Sequence, residues 1–135
     1  MNTKGQSTIE FVLTLAAFAV IFFSMADMMK VGYNWLALQY SSNRGIRSAK
    51  MMPTQMDGEE KATKIRDEII EEAGKIGLTL TVSDIEVDVI ETQITVDASK
   101  AITLNPVSGL IAALGGDHSG VYNLRSREVI RNAEL

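Results

Sequence analysis

Near its beginning the chain reads Lys4-Gly5-Gln6-Ser7-Thr8-Ile9-Glu10-Phe11, and an apolar run follows directly. The run extends to about residue 29, so residues 9–29 span about 31 Å at the helical rise of 1.5 Å per residue. The hydrocarbon core of a bilayer is about 30 Å thick. The stretch therefore predicts an α-helix that can cross a membrane.

Two ionisable residues lie in this stretch, Glu10 and Asp27, one near each end. A carboxylate at the centre of a membrane helix costs roughly 2.5–3.5 kcal/mol and less near an end, so such groups usually have a partner. Two interpretations of Glu10 follow. It pairs with a cation inside the membrane, or it is solvated at the level of the lipid headgroups.

Residues 5–11 resemble the processing and assembly motif of type IV pilins and pseudopilins. The resemblance implies a leader peptide of residues 1–5, which a membrane-embedded prepilin peptidase removes after Gly5, so that Gln6 becomes the new N-terminus. It also implies that the Glu10 carboxylate pairs with the terminal ammonium of Gln6 on a neighbouring subunit. Many pilins carry an aromatic residue or Met at this first position, so N-methylation of Gln6 stays open.

The same resemblance implies a role for the apolar helix. Such proteins enter the inner (cytoplasmic) membrane as single-pass precursors and then assemble into an extracellular pilus at the cell surface. The implied partners are the chain itself and other pilins, in a homo- or heteropolymer, with the prepilin peptidase and the assembly platform in the inner membrane. The residues implied to pack between helices in the filament are Phe11, Leu13, Leu15, Phe18, Phe22 and Trp35.

A conventional secretory signal is the alternative for this segment. Lys4, the apolar run and the small-x-small sequence Ser24-Met25-Ala26 satisfy its requirements, and cleavage there would release a soluble domain from Asp27. The helical pattern nevertheless continues through that position. We therefore predict one long helix over residues 6–50. The continuing stripe consists of Val31, Trp35, Leu38, Ser42, Ile46 and Ala49.

A break separates this helix from a predicted extracytoplasmic head over residues 57–135. Pro53 and the turn-prone Asp57-Gly58 mark the junction. Apolar residues at helical spacing, with acids in the first turn, then predict an amphipathic helix over residues 59–75. Its predicted apolar residues are Ala62, Ile65, Ile69, Ala73 and Ile76. Its charged face, predicted to meet solvent, comprises Lys61, Lys64, Arg66, Asp67, Glu68, Glu71 and Glu72.

After Gly77 the pattern changes to alternation, which predicts strands. The alternating apolar residues are Leu78, Leu80, Val82, Ile85, Val87 and Val89, and residues 93–98 repeat the alternation. A hairpin is predicted at Glu91-Thr92, although this pair lacks the Asn-Gly chemistry of tight turns. A last strand is predicted from Val121 towards Ile130.

The predicted fold class is therefore α+β. A long N-terminal membrane and stalk helix is followed by a small head, in which one amphipathic helix packs on a short antiparallel sheet. In this order of elements the chain looks like the TadE-like branch of tight-adherence (Tad) pilus proteins. Adhesion, DNA uptake, secretion and motility are all roles of such type IV filaments.

Residues 105–120 are predicted to form an insertion between strands, apolar first and then loop-like. Leu110, Ile111 and Leu114 form either a short helix that packs on the head or an exposed contact between subunits. Asp117, His118 and Ser119 are the residue types of a hydrolase triad, but three neighbours in one loop cannot take the mutual geometry that catalysis requires.

Composition narrows the function classes. The chain has 135 residues, no cysteine, one histidine and a formal net charge of −4. It therefore lacks the Cys and His ligands of a zinc site, and the basic face that binds nucleic acid. We expect a structural protein with no cofactor, no metal and no catalytic residue. The alternative function is a membrane-anchored extracytoplasmic binding module that recruits a partner and does not polymerise.

Overall fold

The computed structural model describes residues 3–53, 55–90, 93–104 and 121–131, with side chains from Gln6 onward. The elements are helices α1 (Thr3–Ala49) and α2 (Gly58–Lys75), a 3₁₀ turn (Val82–Asp84), and strands β1 (Ile85–Ile90), β2 (Gln93–Thr103) and β3 (Val121–Arg131). The strands form one antiparallel sheet in the order β1-β2-β3. This architecture confirms the predicted α+β class.

Helix α1 is 47 residues long, so it extends for about 70 Å at 1.5 Å per residue. No proline interrupts it, and it ends at Ala49, shortly before Pro53. Its limits lie close to the predicted residues 6 and 50. The helix continues without a break through Ser24-Met25-Ala26, as the periodicity indicated.

The chain divides into two compact units. The first comprises Met1–Val31 and Thr103–Tyr122, and the second comprises Gly32–Ile102 and Asn123–Leu135. Within the first unit, Lys30 Nζ donates a hydrogen bond of 2.9 Å to the carbonyl oxygen of Thr103. The hydrophobic core lies in the second unit. The predicted limits of leader, helix and head stay predictions.

The core joins α1, α2 and the sheet. Its buried residues are Ala37, Leu38, Ile46 and Ala49 of α1, Ile65, Ile69 and Ala73 of α2, Leu78 and Leu80 of the link, and Ile85, Ile94, Val96, Ala98 and Ile130 of the strands. The predicted stripe on α1 is confirmed from Leu38 onward, whereas Val31 is half-buried and Trp35 is 44% exposed. Ser42 of that stripe is buried, and its hydroxyl donates to the Leu38 carbonyl oxygen over 2.8 Å.

Helices α1 and α2 touch at Gly45. A Cβ atom added to this glycine overlaps the side chain of Ile69 and lies 3.3 Å from the Ile65 carbonyl oxygen. Near the C-terminus of α2, Tyr33 Oη donates to the Ile76 carbonyl oxygen over 2.6 Å. Because protein interiors are close-packed, a side chain at position 45 would displace α2. The absent Cβ therefore sets the separation of the two helices.

Helix α2 packs on β1. The predicted apolar face is confirmed at Ile65, Ile69 and Ala73, which are fully buried. Lys61 was predicted on the solvent-facing side, and this is wrong, because it is only 8% exposed. It lies one turn before Ile65 and therefore on the same face of the helix. Its aliphatic stem suits this position, since Lys buries the stem and keeps the ammonium in water.

Arg66 also departs from the predicted solvent-facing side. It is half-buried, and its Nε donates to the Ile85 carbonyl oxygen over 3.3 Å. The side chain thus reaches from α2 to the start of β1.

Strands β1 and β2 pair in a register that runs from Ile85 opposite Ala98 to Ile90 opposite Gln93. The predicted hairpin is confirmed, and its turn lies outside the described residues. Strand β2 extends beyond the predicted residue 98 to Thr103, and β3 covers the predicted last strand.

The predicted alternation fails before Ile85. Leu78 and Leu80 are buried without being part of a strand, and Val82 opens the 3₁₀ turn and is 60% exposed. Local hydrogen bonds explain the difference. The Thr81 backbone N–H donates to Asp84 Oδ2 over 2.8 Å in a capping box, which favours a turn over an extended strand.

The insertion at residues 105–120 lies outside the described residues. The predictions for Leu110, Ile111 and Leu114, and those for Asp117, His118 and Ser119, fall there.

Gly45→Ala tests the helix contact. We expect the free energy of unfolding to fall by about 1–3 kcal/mol, because overpacking forces neighbouring side chains off their rotamers. The control is Gly74→Ala in α2, where nothing lies within 4 Å of an added Cβ. That change should raise the free energy of unfolding by up to about 1 kcal/mol. Denaturant unfolding of the full chain in detergent, followed by the fluorescence of the single tryptophan Trp35, measures both. Equal effects would contradict the contact.

Candidate functional site

The first candidate site is the apolar half of α1. Every side chain from Gln6 to Phe23 is exposed, over a length of about 27 Å. The segment is apolar on all sides, which is typical of a helix that lies in a membrane or inside a larger assembly. By length and composition α1 is a candidate membrane anchor.

Two hydroxyls in and directly after this segment bond to the helix itself. Thr14 Oγ1 donates to the Glu10 carbonyl oxygen over 2.8 Å, and Ser24 Oγ donates to the Val20 carbonyl oxygen over 2.8 Å. Such i−4 bonds let a hydroxyl enter an apolar environment without an unsatisfied donor. The segment is therefore compatible with lipid despite these two polar residues.

Glu10 is the acidic group of this segment. Its side chain is exposed, and it makes no ion pair with any residue that the structure describes. Gln6 lies one turn earlier, on the same face of α1, and is exposed as well. The backbone of Gly5 is helical. The predicted processing residues and the predicted assembly carboxylate thus lie within two turns at the start of α1.

The residues predicted to pack between helices are all on the surface of the chain. Phe11, Leu15, Phe18 and Phe22 share one face at helical spacing and are each 59–70% exposed. Leu13 is 64% exposed on another face, and Trp35 is 44% exposed within the second unit. The apolar surface of the segment therefore surrounds the helix, and the predicted packing role of these residues stays a prediction.

Asp27 contrasts with the residues before it. It is 5% exposed, although it follows a segment whose side chains are almost all exposed. The sequence places this carboxylate near the end of the apolar stretch, and the structure buries it. Met28 and Met29, which follow it, are 77% and 69% exposed, so Asp27 is a single buried position on a largely exposed part of α1.

A second candidate site is an open cleft of about 450 Å³ on the C-terminal part of α1. Its lining residues are Leu36, Gln39, Tyr40, Asn43, Arg44 and Arg47. Asn43 Nδ2 donates to the Gln39 carbonyl oxygen over 3.1 Å and to Glu128 Oε1 over 3.2 Å. The two guanidinium groups suit a carboxylate. Sequence reasoning missed this cleft, although its residues recur every three to four positions on α1.

A third candidate site is the outer face of the sheet. Arg125 Nε donates to both carboxylate oxygens of Asp97, over 2.8 and 3.0 Å, and a second guanidinium nitrogen bonds to the same carboxylate. This guanidinium holds the pKa of Asp97 below its usual value. Glu86 lies directly opposite Asp97 on β1 and raises the pKa of Arg125 further, after the larger effect of Asp97.

The ranges that the structure describes contain no group of three or more His, Cys, Asp and Glu side chains suited to a metal ion. Asp117 and His118 lie outside these ranges. No protein-family model, no curated protein and no solved structure matches the chain.

Asp97→Asn tests the ion pair on the sheet. The pKa of Asp97 is lower in the folded chain than the unfolded value of about 3.9, so the pair stabilises the fold above that pH. This stabilisation is lost as the pH falls through the lowered pKa. We expect the substitution to reduce the free energy of unfolding at pH 7 by about 0.2–1 kcal/mol.

The difference from the wild type should shrink below about pH 4. The control is Asp67→Asn, since Asp67 is exposed on α2 and forms no ion pair within the described ranges. Urea unfolding of the full chain in detergent, from about pH 2.5 to about pH 7 so that the range includes the ordinary pKa of an Asp side chain, measures both. A difference that does not change with pH would contradict the assigned role of Asp97.

Proposed function

We propose that the chain is a structural subunit of a type IV pilus-like filament, a pilin or pseudopilin, most similar to the TadE-like branch of tight-adherence pilus proteins. The observation that carries the proposal is the exposed apolar segment from Gln6 to Phe23, headed by Glu10 and continuous with a helix that packs into a folded head.

The exposed segment favours assembly because it has to leave water. Fully burying one large apolar side chain is worth about 1.5–3 kcal/mol, and the segment carries many of them. Lipid satisfies this requirement in the precursor, and neighbouring helices satisfy it in a filament. Lipid tails are as apolar as Leu, however, so apolar contact by itself does not select one arrangement of helices.

The carboxylate of Glu10 supplies that selection. In this proposal a prepilin peptidase cleaves after Gly5, and the new terminal ammonium of Gln6 pairs with Glu10 of a neighbouring subunit. Opposite charges attract more strongly in an apolar medium than in water, but desolvation offsets much of the gain. The pair therefore fixes the axial register of a subunit more than it stabilises the filament.

The proposal also assigns locations and partners. The precursor is a single-pass protein of the cytoplasmic membrane and becomes part of an extracellular pilus. Its partners are further copies or other pilins, the prepilin peptidase and the inner-membrane assembly platform. Trp35, exposed in the second unit, belongs to the proposed packing residues.

A non-polymerising binding module is the second candidate. The cleft that contains Arg44 and Arg47 favours it, because two guanidinium groups beside Tyr40 suit an acidic ligand. Electron micrographs of sheared surface material separate the two functions, since only the first produces filaments.

Processing is tested by the mass and N-terminal residue of the chain from membranes, with and without a prepilin peptidase. We expect a chain that starts at Gln6 when the peptidase is present. Gly5→Val should keep the leader, because the proposed cleavage needs a small residue before the cut. A chain that starts at Asp27 would establish the secretory signal, and an intact Met1 in both samples would support a permanently anchored module.

Glu10→Gln tests the assembly role. We expect the yield of sheared filaments to fall by about tenfold or more, which corresponds to about 1.4 kcal/mol at a subunit contact. The unfolding midpoint of the head should not change, because Glu10 is exposed within the chain. Glu59→Ala, which removes an exposed carboxylate from the first turn of α2, is the control and should assemble normally. Normal filament yield from Glu10→Gln would falsify the pairing.

A further inference from the structure

The outer face of the sheet separates its charges by strand. On β1 the outward positions are Glu86, Asp88 and Ile90, and on β3 they include Arg125, Arg127 and Val129, all of them exposed. No basic residue occurs on β1, and no acidic residue occurs at these positions of β3. Among the strands that the structure describes, β1 and β3 are the two outermost. One side of the sheet is thus acidic and the other basic.

The structure points to a contact between two copies of this chain, in which the acidic strand β1 of one copy lies beside the basic strand β3 of the next, and we propose that this contact orients the heads. It rests on the proposed function in that the partner is a second copy. It goes beyond that function because it names the surfaces on the heads and their register.

The charges exclude contacts between two identical strands, one from each copy. Two β1 strands side by side would place carboxylates against carboxylates, and two β3 strands would place guanidinium groups against guanidinium groups. Like charges directly opposite each other destabilise a strand pair. Only β1 against β3 is attractive, and such a contact between unlike surfaces leaves a free β1 on one end and a free β3 on the other. It can therefore repeat along a filament.

The order of the outward side chains along β1 and β3 determines whether the two strands run parallel or antiparallel. When the two strands run the same way, the outward positions meet as Glu86 with Arg125, Asp88 with Arg127, and Ile90 with Val129. Strands that run in opposite directions can also match their charges, but Ile90 then faces the polar Asn123. Ile90 and Val129 are 47% and 49% exposed, so the parallel register gains by covering these two apolar side chains with each other.

The central strand engages only one of the four charged groups in this contact, Arg125. Asp97 is bound by Arg125 of its own copy, while no ion pair within the described ranges involves Glu86, Asp88 or Arg127. These three charged groups are therefore available to a second copy. Pairs of exposed charges contribute little affinity, but they determine orientation and exclude wrong partners.

Disulfide trapping tests the register, since the chain has no cysteine of its own. The double variant Ile90→Cys/Val129→Cys is expressed as the full chain in membranes and in sheared material and is then oxidised. Within one copy β2 separates the two positions, so they lie at least about 9–10 Å apart, too far for a disulfide. Any bond between positions 90 and 129 therefore joins two copies. We expect a ladder of multimers, with the bond identified by mass spectrometry.

The control for the register is Glu86→Cys/Val129→Cys, which should give roughly tenfold less multimer, because it shifts one strand by four residues, or about 13 Å. The charges are tested in the Ile90→Cys/Val129→Cys background. Asp88→Arg alone and Arg127→Asp alone should each reduce the ladder by about tenfold, and the two together should restore it. The ladder should also weaken at 1 M salt, where the screening length is about 3 Å.

The outcomes separate this inference from the proposed function. If multimers joined through positions 90 and 129 form in membranes but no filaments form, the contact is supported and the proposed filament role is contradicted. Filaments without this disulfide, or a charge exchange that fails to restore the ladder, overturn the contact and leave the filament role intact. Absence of both filaments and ladder overturns both.

Discussion

Helix α1 is one unbroken helix, but its two parts have different surroundings: the first is exposed and apolar, and the second packs in the core of the head. From Phe11 to Phe23 its side chains are exposed and almost all apolar, whereas from Ala37 to Ala49 it supplies one wall of a buried core. A helix satisfies its own backbone hydrogen bonds wherever it runs, which an irregular segment in lipid cannot do. Its side chains can therefore change from lipid-compatible to core-forming while the backbone stays the same. The close contact with α2 at Gly45 then builds the head directly on this helix.

Periodicity predicted most of the fold because burial and helix or strand geometry agree along most of the chain. Ile65, Ile69 and Ala73 are spaced for one helix face, and that face is buried. Periodicity failed where a local or tertiary interaction decided the outcome. The capping of Thr81 by Asp84 turned an alternating segment into a 3₁₀ turn, and the place of Lys61 on the buried face outweighed its charge.

The candidate sites were predictable to different degrees. The motif around Gly5 and Glu10 is contiguous in sequence, so reading the chain finds it, while the role proposed for it needs a second subunit. The bond from Asn43 of the cleft to Glu128 and the pairing of Asp97 with Arg125 join residues far apart in the chain. A single sequence contains no signal for which strand lies beside which, and these contacts follow only from the sheet order. The same holds for Gly45, whose importance depends on what packs against it.

The proposed filament needs both apolar contacts between helices and charged contacts, because the first supply affinity and the second supply specificity. Apolar helix surfaces gain from leaving water, but they discriminate poorly among neighbouring positions. Charged groups discriminate well, yet an exposed pair contributes only about 0.2–1 kcal/mol. When both kinds occur on one chain, the first contact raises the effective concentration of the second. Glu10 in the apolar segment and the opposite charges of β1 and β3 on the head can thus specify one arrangement although neither would hold a subunit alone.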